Sequence, residues 1–354
     1  MASINFKHTP FGDLALISMR GCEDIASQVD YYLKQWRSIP DDESFVVPAN
    51  CPRFGTGEAK AVLKHTARGL DAYIICDCFN YSVTYKMYGQ TVPMSPDDHY
   101  QDLKRIIAAL GGKARRITVI MPMLYEGRQH RRTTRESMDC AMALQELVAM
   151  GVKNIVTFDA HDPRVNNAIP LDGFDNVQAA YQMIKALLKT VPDIKLNRDH
   201  TMIVSPDEGG MGRCIYYSSV LGLDLGMFYK RRNYSVVVNG RNPIEAHEFL
   251  GNDITGKDLI LVDDMISSGE SMLDIAAKLK EKGAGRIFIF STFGLFVEGF
   301  EKFDQYYADG KIDKIFTTNL IYQPQELLDR EWYCSVNMSK YIALLVETLN
   351  YDNS

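Results

Sequence analysis

The segment from Leu259 to Ser271, which reads LILVDDMISSGES, has the residue types and spacing of a phosphate-binding site. Its apolar run predicts a buried strand, and the carboxylates of Asp263 and Asp264 follow directly. Small residues then lead into a helix that we expect to begin at Met272. The free N–H groups and the dipole of a helix N-terminus attract anions, and paired carboxylates suit sugar hydroxyls or Mg²⁺. The sequence therefore predicts a site for a phosphorylated ribose.

A second group of polar residues follows the strand-like run Ile117–Met121. Its cationic, imidazole and amide side chains are Arg128, Gln129, His130, Arg131, Arg132 and Arg135. Ligands of open α/β sheets bind at the carboxyl ends of the strands, and arginine suits both polyphosphate oxygens and a purine ring. This group predicts a polyphosphate site.

Two further strand ends carry groups that suit a divalent cation. Asp159 and His161 lie in TFDAHDP, and Asp207 precedes a diglycine in IVSPDEGGMGRC. A carboxylate or imidazole beside a phosphate site is a credible Mg²⁺ ligand, directly or through water. His161 and Asp207 are therefore candidate Mg²⁺ ligands, and Asp159, two residues before His161, can face the same ligand.

Three adjacent cations, Lys230-Arg231-Arg232, open a polar stretch that reads as a β-hairpin or mobile flap over residues 228–254. Cations on such a segment can close over a transferring phosphoryl group and neutralise developing charge. The stretch is therefore a candidate catalytic flap.

Composition narrows the class of protein. The chain has 354 residues, 46% hydrophobic and 24% charged, which is typical of globular proteins. A net charge of −6 argues against a general nucleic-acid binder. We expect neither a secretory signal nor a membrane span, because no apolar stretch approaches ~18 residues. The seven scattered cysteines predict reduced thiols and a cytoplasmic location.

Strand-like runs alternate with helical patterns, which predicts an α/β fold with parallel sheets. The expected strands are Ala72–Phe79, Ile117–Met121, Ile155–Phe158, Met202–Val204, Leu259–Val262, Ile287–Ser291 and Ile315–Thr317. The expected helices are Glu23–Trp36, Asp97–Leu110, Arg135–Ala149, Val177–Leu188, Met272–Lys282 and Met338–Leu349. A stretch rich in Pro, Asn, Asp and Gly over residues 160–176 predicts a domain boundary.

The order of these motifs resembles that of the ribose-phosphate pyrophosphokinase family. Along the chain the motifs read FGTGE (54–58), GRQHR (127–131), DAH (159–161), SPDEGG (205–210), KRR (230–232) and VDDMISSGES (262–271). The resemblance covers nearly the whole chain. It implies two phosphoribosyltransferase-like domains, each a mostly parallel sheet flanked by helices. The first would span residues 1–170 together with the C-terminal helix 336–350, and the second residues 171–335 with the flap 228–254.

The resemblance also implies an activity and a set of site residues. The reaction would be Mg²⁺-dependent transfer of the diphosphoryl group of ATP to the 1-hydroxyl of ribose 5-phosphate, giving phosphoribosyl pyrophosphate and AMP. ATP would be bound by Phe54, Glu58, Arg128, Gln129 and His130, the first two acting from a neighbouring subunit. The catalytic residues would be Lys230, Arg232 and His161, and the Mg²⁺ ligands would be His161 and Asp207. Ribose hydroxyls would be bound by Asp263 and Asp264, and the 5-phosphate by Ser267, Ser268, Gly269, Glu270 and Ser271.

The partners implied by the resemblance are ATP, ribose 5-phosphate and further copies of the chain. The family typically forms hexamers built from dimers, so a homo-oligomer is expected, with no nucleic-acid or membrane partner. Several positions depart from the family pattern, namely Thr56, His130, Ser267, Glu270 and Phe293. Among these, Glu270 stands where the family has a loop glycine and brings a negative charge to a phosphate loop.

Three alternatives remain open at this point. The chemistry could act on a larger ribosyl acceptor, or the chain could be a phosphoribosyltransferase that consumes the product. It could also be a regulatory homologue without activity. Such a homologue is expected to have lost Lys230, Arg232 or His161, and all three are present.

Overall fold

The computed structural model describes residues 9–232 and 244–353, and within 230–247 it describes no side chains. The chain divides into two compact units. The first contains Met1–Gln178, Asn319–Tyr322 and Asn337–Ser354. The second contains Ala179–Thr318 and Gln323–Val336. The side chains of Lys230 and Arg232 thus lie outside the described residues.

The first unit is built on a five-stranded parallel sheet. The strands of this unit, in chain order, are β1 (Asp13–Ser18), β2 (Ala49–Asn50), β3 (Val62–Leu63), β4 (Leu70–Ile75), β5 (Thr84–Met87), β6 (Gln90–Pro93), β7 (Arg116–Ile120), β8 (Asn154–Phe158) and β9 (Gly173–Val177). The main sheet has the order β1-β4-β7-β8-β9, while β2-β3 and β5-β6 form separate antiparallel pairs. The inner strands are almost wholly buried, as expected when helices cover both faces of a sheet.

Three helices connect these strands: α1 (Glu23–Arg37), α2 (Pro96–Leu110) and α3 (Asp139–Ala149). Local sequence explains the ends of α2. Ser95 and Asp98 form a reciprocal capping box, Pro96 occupies the first turn, and Gly111 ends the helix in the left-handed conformation. A short 3-10 helix covers Pro163–Ala168.

The second unit is built on a seven-stranded sheet. Its elements are α4 (Ala180–Thr190), β10 (Thr201–Ser205), α5 (Met211–Leu221), β11 (Asp224–Arg232), β12 (Ile244–Leu250), β13 (Asp258–Ile266), α6 (Glu270–Glu281), β14 (Ile287–Gly294), α7 (Glu301–Ala308), β15 (Lys314–Thr318), α8 (Gln325–Leu328) and β16 (Tyr333–Val336). The strand order is β12-β11-β10-β13-β14-β15-β16, parallel except for the antiparallel β11–β12 pair. Its core combines strand residues such as Leu261 and Ile289 with Phe303 and Trp332.

The last helix, α9 (Ser339–Asn350), belongs to the first unit. Arg37 of α1 donates to Glu347 Oε2 at 2.8 Å and to Asn350 Oδ1 at 2.7 Å. The predicted α/β class, with parallel sheets flanked by helices, is confirmed. No helix in the described ranges is both long and apolar enough to cross a membrane.

Several element boundaries differ from the sequence-based expectation, and local contacts explain three of them. The strand expected to reach Phe79 ends at Ile75, because Asp77 Oδ1 accepts from Phe79 N–H at 2.9 Å and turns the chain. The helix expected from Arg135 begins at Asp139, because Glu136 accepts from Thr133 N–H and holds a local turn.

The third difference concerns the predicted phosphate loop. Its helix, α6, begins at Glu270 rather than at Met272, and its N-cap is Gly269. Gly269 has φ +82°, a left-handed conformation that glycine adopts without strain. The loop is therefore shorter than the sequence suggested.

Candidate active site

The acid pair of the second unit lies within β13 rather than after it. The strand continues to Ile266, with Asp263 opposite Ser291 of β14. The two neighbouring carboxylates interact through their charges and through a side-chain hydrogen bond, so they lie close together. Asp264 is buried, and the side chain of Asp263 is 28% exposed.

The electrostatics of this pair favour a cationic or hydroxyl-bearing ligand. Burial and the nearby Asp264 carboxylate raise the pKa of Asp263. Arg213 of α5 opposes this shift, its Nη1 lying 3.7 Å from Asp263 Oδ1. Ionisation of both carboxylates is thus unfavourable in the ligand-free protein, and a metal ion or hydroxyl donors at the carboxyl end of β13 would relieve the repulsion.

The loop after β13 has the features of an anion site. The N-cap Gly269 has no side chain, and Ser268 Oγ accepts from Glu270 N–H at 3.5 Å, the long end of a hydrogen bond. Ser267 accepts a backbone hydrogen bond from Val297 at 3.0 Å. Ser271 lies inside the helix. The first turn of α6 therefore keeps donors that an anion can use.

The neighbouring β10–α5 loop carries Asp207. Its Oδ1 accepts from Gly210 N–H at 3.1 Å, and its carbonyl accepts from Ser205 Oγ at 2.7 Å. Because β10 and β13 are adjacent in the sheet, this loop and the acid pair lie at the same sheet edge. Helix α5, which follows this loop, carries Arg213 in its first turn, a residue that the sequence analysis did not single out. The available signal was its position in the first turn of the helix that follows SPDEGG.

In the first unit, the adjacent strands β7 and β8 bring His130 and His161 together. Their ring centroids are 5.4 Å apart. His130 Nε2 lies 3.5 Å from Asp162 Oδ2, and within the described residues its buried Nδ1 has no hydrogen-bond partner. Arg164 donates to Asp162 and lowers the pKa of that carboxyl group, which stays ionised.

The cationic loop on either side of His130 is exposed. Arg128, Arg131, Arg132 and Arg135 all face solvent. Gln129 is anchored through Nε2 to the carbonyl of Ser137 at 3.0 Å. Asp159, at the end of β8, is buried and has φ 42°, an unusual conformation for a residue other than glycine. These groups form an anion-attracting edge at the carboxyl ends of β7 and β8.

Phe54 and Glu58 occupy an exposed turn of the same unit. Phe54 N–H donates to the Glu58 carbonyl at 2.7 Å, and Gly57 N–H donates back to the Phe54 carbonyl at 2.9 Å. Phe54 is 55% exposed. The ring is presented to solvent, where another molecule can contact it.

The backbone of Lys230 and Arg232 lies at the end of β11, opposite His247 and Ile244 of β12. Nothing further is described for their side chains. No group of three or more His, Cys, Asp or Glu in the described part of the chain is arranged to hold a metal ion. A metal at either strand edge would therefore complete its coordination with water or substrate oxygens.

Comparison with known proteins identifies the family. Residues 14–151 match the family model of the N-terminal domain of ribose phosphate pyrophosphokinase. Residues 237–354 match that of the phosphoribosyl synthetase-associated domain. The chain belongs to the ribose-phosphate pyrophosphokinase family.

Curated relatives and a solved structure agree. The ribose-phosphate pyrophosphokinase of Ralstonia nicotianae is 27% identical over 272 residues, covering 76% of each chain. That of Vibrio cholerae is 26% identical over 315 residues, covering 86% of this chain and 89% of the relative. The crystal structure of phosphoribosylpyrophosphate synthetase from Mycobacterium smegmatis matches with a TM-score of 0.77 at 20% identity. It covers 96% of this chain and 100% of that chain, and shows the same fold.

One departure from the family motif has a visible structural partner. Glu270, which stands where the family loop has glycine, is 61% exposed and lies 2.5 Å from Lys302 Nζ of α7. Sequence analysis missed Lys302, which is 32 residues away and reaches Glu270 only through folding. Phe293 is buried in β14 and packs in the core.

Proposed function

We propose that this protein transfers the β,γ-diphosphoryl group of ATP to the 1-hydroxyl of ribose 5-phosphate. The hydroxyl oxygen forms a bond to the β-phosphorus, the bond between that phosphorus and the α-phosphate bridging oxygen breaks, and the hydroxyl proton is released. The products are phosphoribosyl pyrophosphate and AMP. The observation that carries the proposal is the Asp263–Asp264 pair in β13, which a short loop ending in the N-cap Gly269 connects to the first turn of α6.

The second unit would bind the sugar. Asp263 and Asp264 accept hydrogen bonds from ribose hydroxyls, and the loop 267–271 binds the 5-phosphate through backbone N–H groups. Arg213 orients Asp263 by its charge. Family membership and the names of the curated relatives support this assignment of substrate class.

The first unit would bind ATP. Arg128, Gln129 and His130 lie at the exposed anion-attracting edge, which suits a polyphosphate and a purine. Phe54 and Glu58 would contact adenine bound to a neighbouring subunit of a homo-oligomer, for which their exposed turn is accessible.

Charge neutralisation is the main demand of phosphoryl transfer, because the protein itself forms no covalent bond. Lys230 and Arg232 would stabilise the charge that develops in the transition state. His161 and Asp207 would each hold Mg²⁺, and the ion would supply positive charge against the phosphate oxygens. Asp207 would offer the carboxylate oxygen that Mg²⁺ prefers.

Release of AMP from Mg-ATP, with and without ribose 5-phosphate, tests the proposal. We expect AMP only when the sugar is present, together with a product that a phosphoribosyltransferase consumes. AMP formed only with a different ribosyl acceptor would mean that the chemistry is right and the acceptor wrong. No AMP with any acceptor would favour a regulatory homologue.

Two variants assign roles. Asp264→Asn should raise the KM for ribose 5-phosphate with little change in the KM for ATP, whereas Asp274→Asn, on the exposed side of α6, is the matched control. An effect confined to ATP would contradict the sugar-binding role of Asp264.

Lys230→Ala should lower kcat by ~10²-fold or more, with little change in either KM, if this cation acts in the transition state. A change in KM alone would contradict that role. A cytoplasmic location remains a prediction.

A further inference from the structure

The first residue of α6 is held by an ion pair to α7. Glu270 Oε1 lies 2.5 Å from Lys302 Nζ, and Glu298 Oε2 lies 3.4 Å from the same nitrogen. Lys302 lowers the pKa of Glu270, and Glu270 raises the pKa of Lys302. Both groups are therefore charged at neutral pH.

Two further contacts, one from α7 and one from the segment before it, are made with the loop that precedes α6. Phe303, the residue after Lys302, is fully buried, and a Cβ at Gly269 would lie 2.2 Å from its Cζ. Val297 N–H donates to the Ser267 carbonyl at 3.0 Å. Lys302 is thus attached to a segment that packs directly on the loop, so its position relative to Glu270 is set by the fold.

A carboxylate in the first turn of a helix favours the helix but disfavours a second anion at the same place. The loop 267–271 is the expected phosphate site, and Glu270 would repel a phosphate dianion there. Glycine at this position would avoid the conflict. This chain has a carboxylate at this position instead, and Lys302 lies beside it.

We propose that Lys302 is a positioning residue for the substrate phosphate. It holds the Glu270 carboxylate and neutralises its charge, so that the loop 267–271 accepts the phosphate of ribose 5-phosphate. This inference rests on the proposed function, because it concerns the phosphate subsite of the same reaction.

A double-mutant cycle tests the inference on the full-length protein. Lys302→Ala should raise the KM for ribose 5-phosphate roughly three- to tenfold, because the carboxylate is no longer compensated. The kcat and the KM for Mg-ATP should change less than about twofold. When Glu270→Gln is already present, Lys302→Ala should change the KM for ribose 5-phosphate less than about twofold.

The matched control is Lys311→Ala, which removes another exposed ion pair of the same unit, that between Lys311 and Asp309 at 3.0 Å. It should leave the KM for ribose 5-phosphate unchanged, and the Tm of each variant reports its folding. Raising the salt concentration should shrink the effect of Lys302→Ala, because screening weakens the repulsion.

Two results would overturn the inference. One is an unchanged KM in Lys302→Ala. The other is an equal rise in KM with and without Glu270→Gln, which would mean that Lys302 contacts the phosphate or acts through packing alone.

Failure of the proposed function would be distinguishable. If the wild-type protein forms no AMP, the affinity of the same four proteins for ribose 5-phosphate is measured by calorimetry. The same coupled pattern in Kd supports the role of Lys302 without the reaction. Uncoupled changes in Kd overturn it, and absence of binding by the wild-type protein overturns both.

Discussion

The two units carry the same ion pair at the same place in their sheets, yet in different surroundings. In the first unit, Arg116 at the start of β7 donates through Nε and Nη2 to the two oxygens of Asp71 in β4, each at 2.8 Å. In the second, Arg286 before β14 donates through Nε and Nη2 to Asp258 at the start of β13, at 3.1 and 2.7 Å. Both are two-pronged arginine–carboxylate pairs across neighbouring strands.

Burial distinguishes the two pairs. The side chains of Asp71 and Arg116 are 0% and 10% exposed, whereas those of Asp258 and Arg286 are 14% and 34% exposed. If Asp71 is removed, the charge of Arg116 stays buried without its partner; if Asp258 is removed, the charge of Arg286 is still partly exposed to water. Equal geometry therefore does not imply equal stabilisation.

Further hydrogen bonds to Asp71 and Arg116 also distinguish the first pair from the second. Its Oδ2 also accepts from Tyr73 Oη at 2.9 Å and from Asn350 Nδ2 of α9 at 2.7 Å, and burial with the nearby Asp71 charge raises the pKa of Tyr73. Arg116 Nη2 donates to the Leu349 carbonyl at 2.6 Å. The first pair thus ties the C-terminal helix to the sheet.

The largest predicted effect is that of Asp71→Asn. The substitution keeps the shape but removes the buried carboxylate that pairs with Arg116 and leaves only Asp352, which is 57% exposed, as its ionic partner. We therefore expect a loss of about 3–5 kcal/mol in the free energy of unfolding. Urea unfolding followed by circular dichroism measures it. A loss below about 1 kcal/mol would contradict the buried-network explanation.

Asp258→Asn should have a smaller effect, about 1–2 kcal/mol, because water can reach Arg286 after the change. Asp193 is the other partner of Arg286 and is 71% exposed, so Asp193→Asn, the control, should change stability by less than about 0.5 kcal/mol. Equal losses in Asp71→Asn and Asp258→Asn would mean that burial is not what separates the two pairs.

Sequence patterns predicted most inner strands of the two sheets but missed the edge strand β1, although it is buried. The core strand expected at Ile155–Phe158 is found at Asn154–Phe158, because fully buried parallel strands read as apolar runs. The stretch 160–176, expected to mark a boundary, contains the 3-10 helix Pro163–Ala168 and most of β9. Edge strand β9 is half-buried and mixed in composition, so it has no such signature.

Some residues of the candidate site could likewise be proposed from the sequence, and others could not. Acids near the carboxyl end of a strand, such as Asp207 and Asp263, could be proposed from the chain because the apolar run indicates the strand. Arg213 had only its place in the first turn of the next helix as a signal. Lys302 had none, because its contact with Glu270 depends on the tertiary structure.

The opposite ends of β13 show what separates a structural acid from a ligand-binding one. Asp258 opens the strand with its arginine at 2.7 Å, and Asp263, near the other end, has Arg213 at 3.7 Å and the Asp264 carboxylate beside it. The first acid stabilises the fold. The second carries a repulsion that a bound ligand would relieve, so the ligand-free protein is less stable for having it.

The smallest predicted effect follows from this contrast and has the opposite sign. In the folded protein the pKa of Asp263 is raised from its ordinary value of about 4 to about 8. Between these two pH values the folded protein binds a proton that the unfolded chain has lost, so stability falls as the pH rises through that window. Asp263→Asn removes this dependence and should stabilise the ligand-free protein at pH 7 by about 1 kcal/mol, while abolishing tight sugar binding.

Thermal unfolding of the wild-type and Asp263→Asn proteins, without ligands and in the presence of a chelator, measures the difference from pH 4 to pH 8. The amide Oδ1 can still accept the Asp264 N–H that Asp263 accepts at 2.9 Å, so the local backbone is preserved. The gain should grow with pH and vanish at the acid end, where Asp263 is protonated in the folded protein. If Asp263→Asn is instead less stable than the wild-type protein at neutral pH, Asp263 stabilises the fold, as Asp258 does, and the contrast between the two acids is wrong.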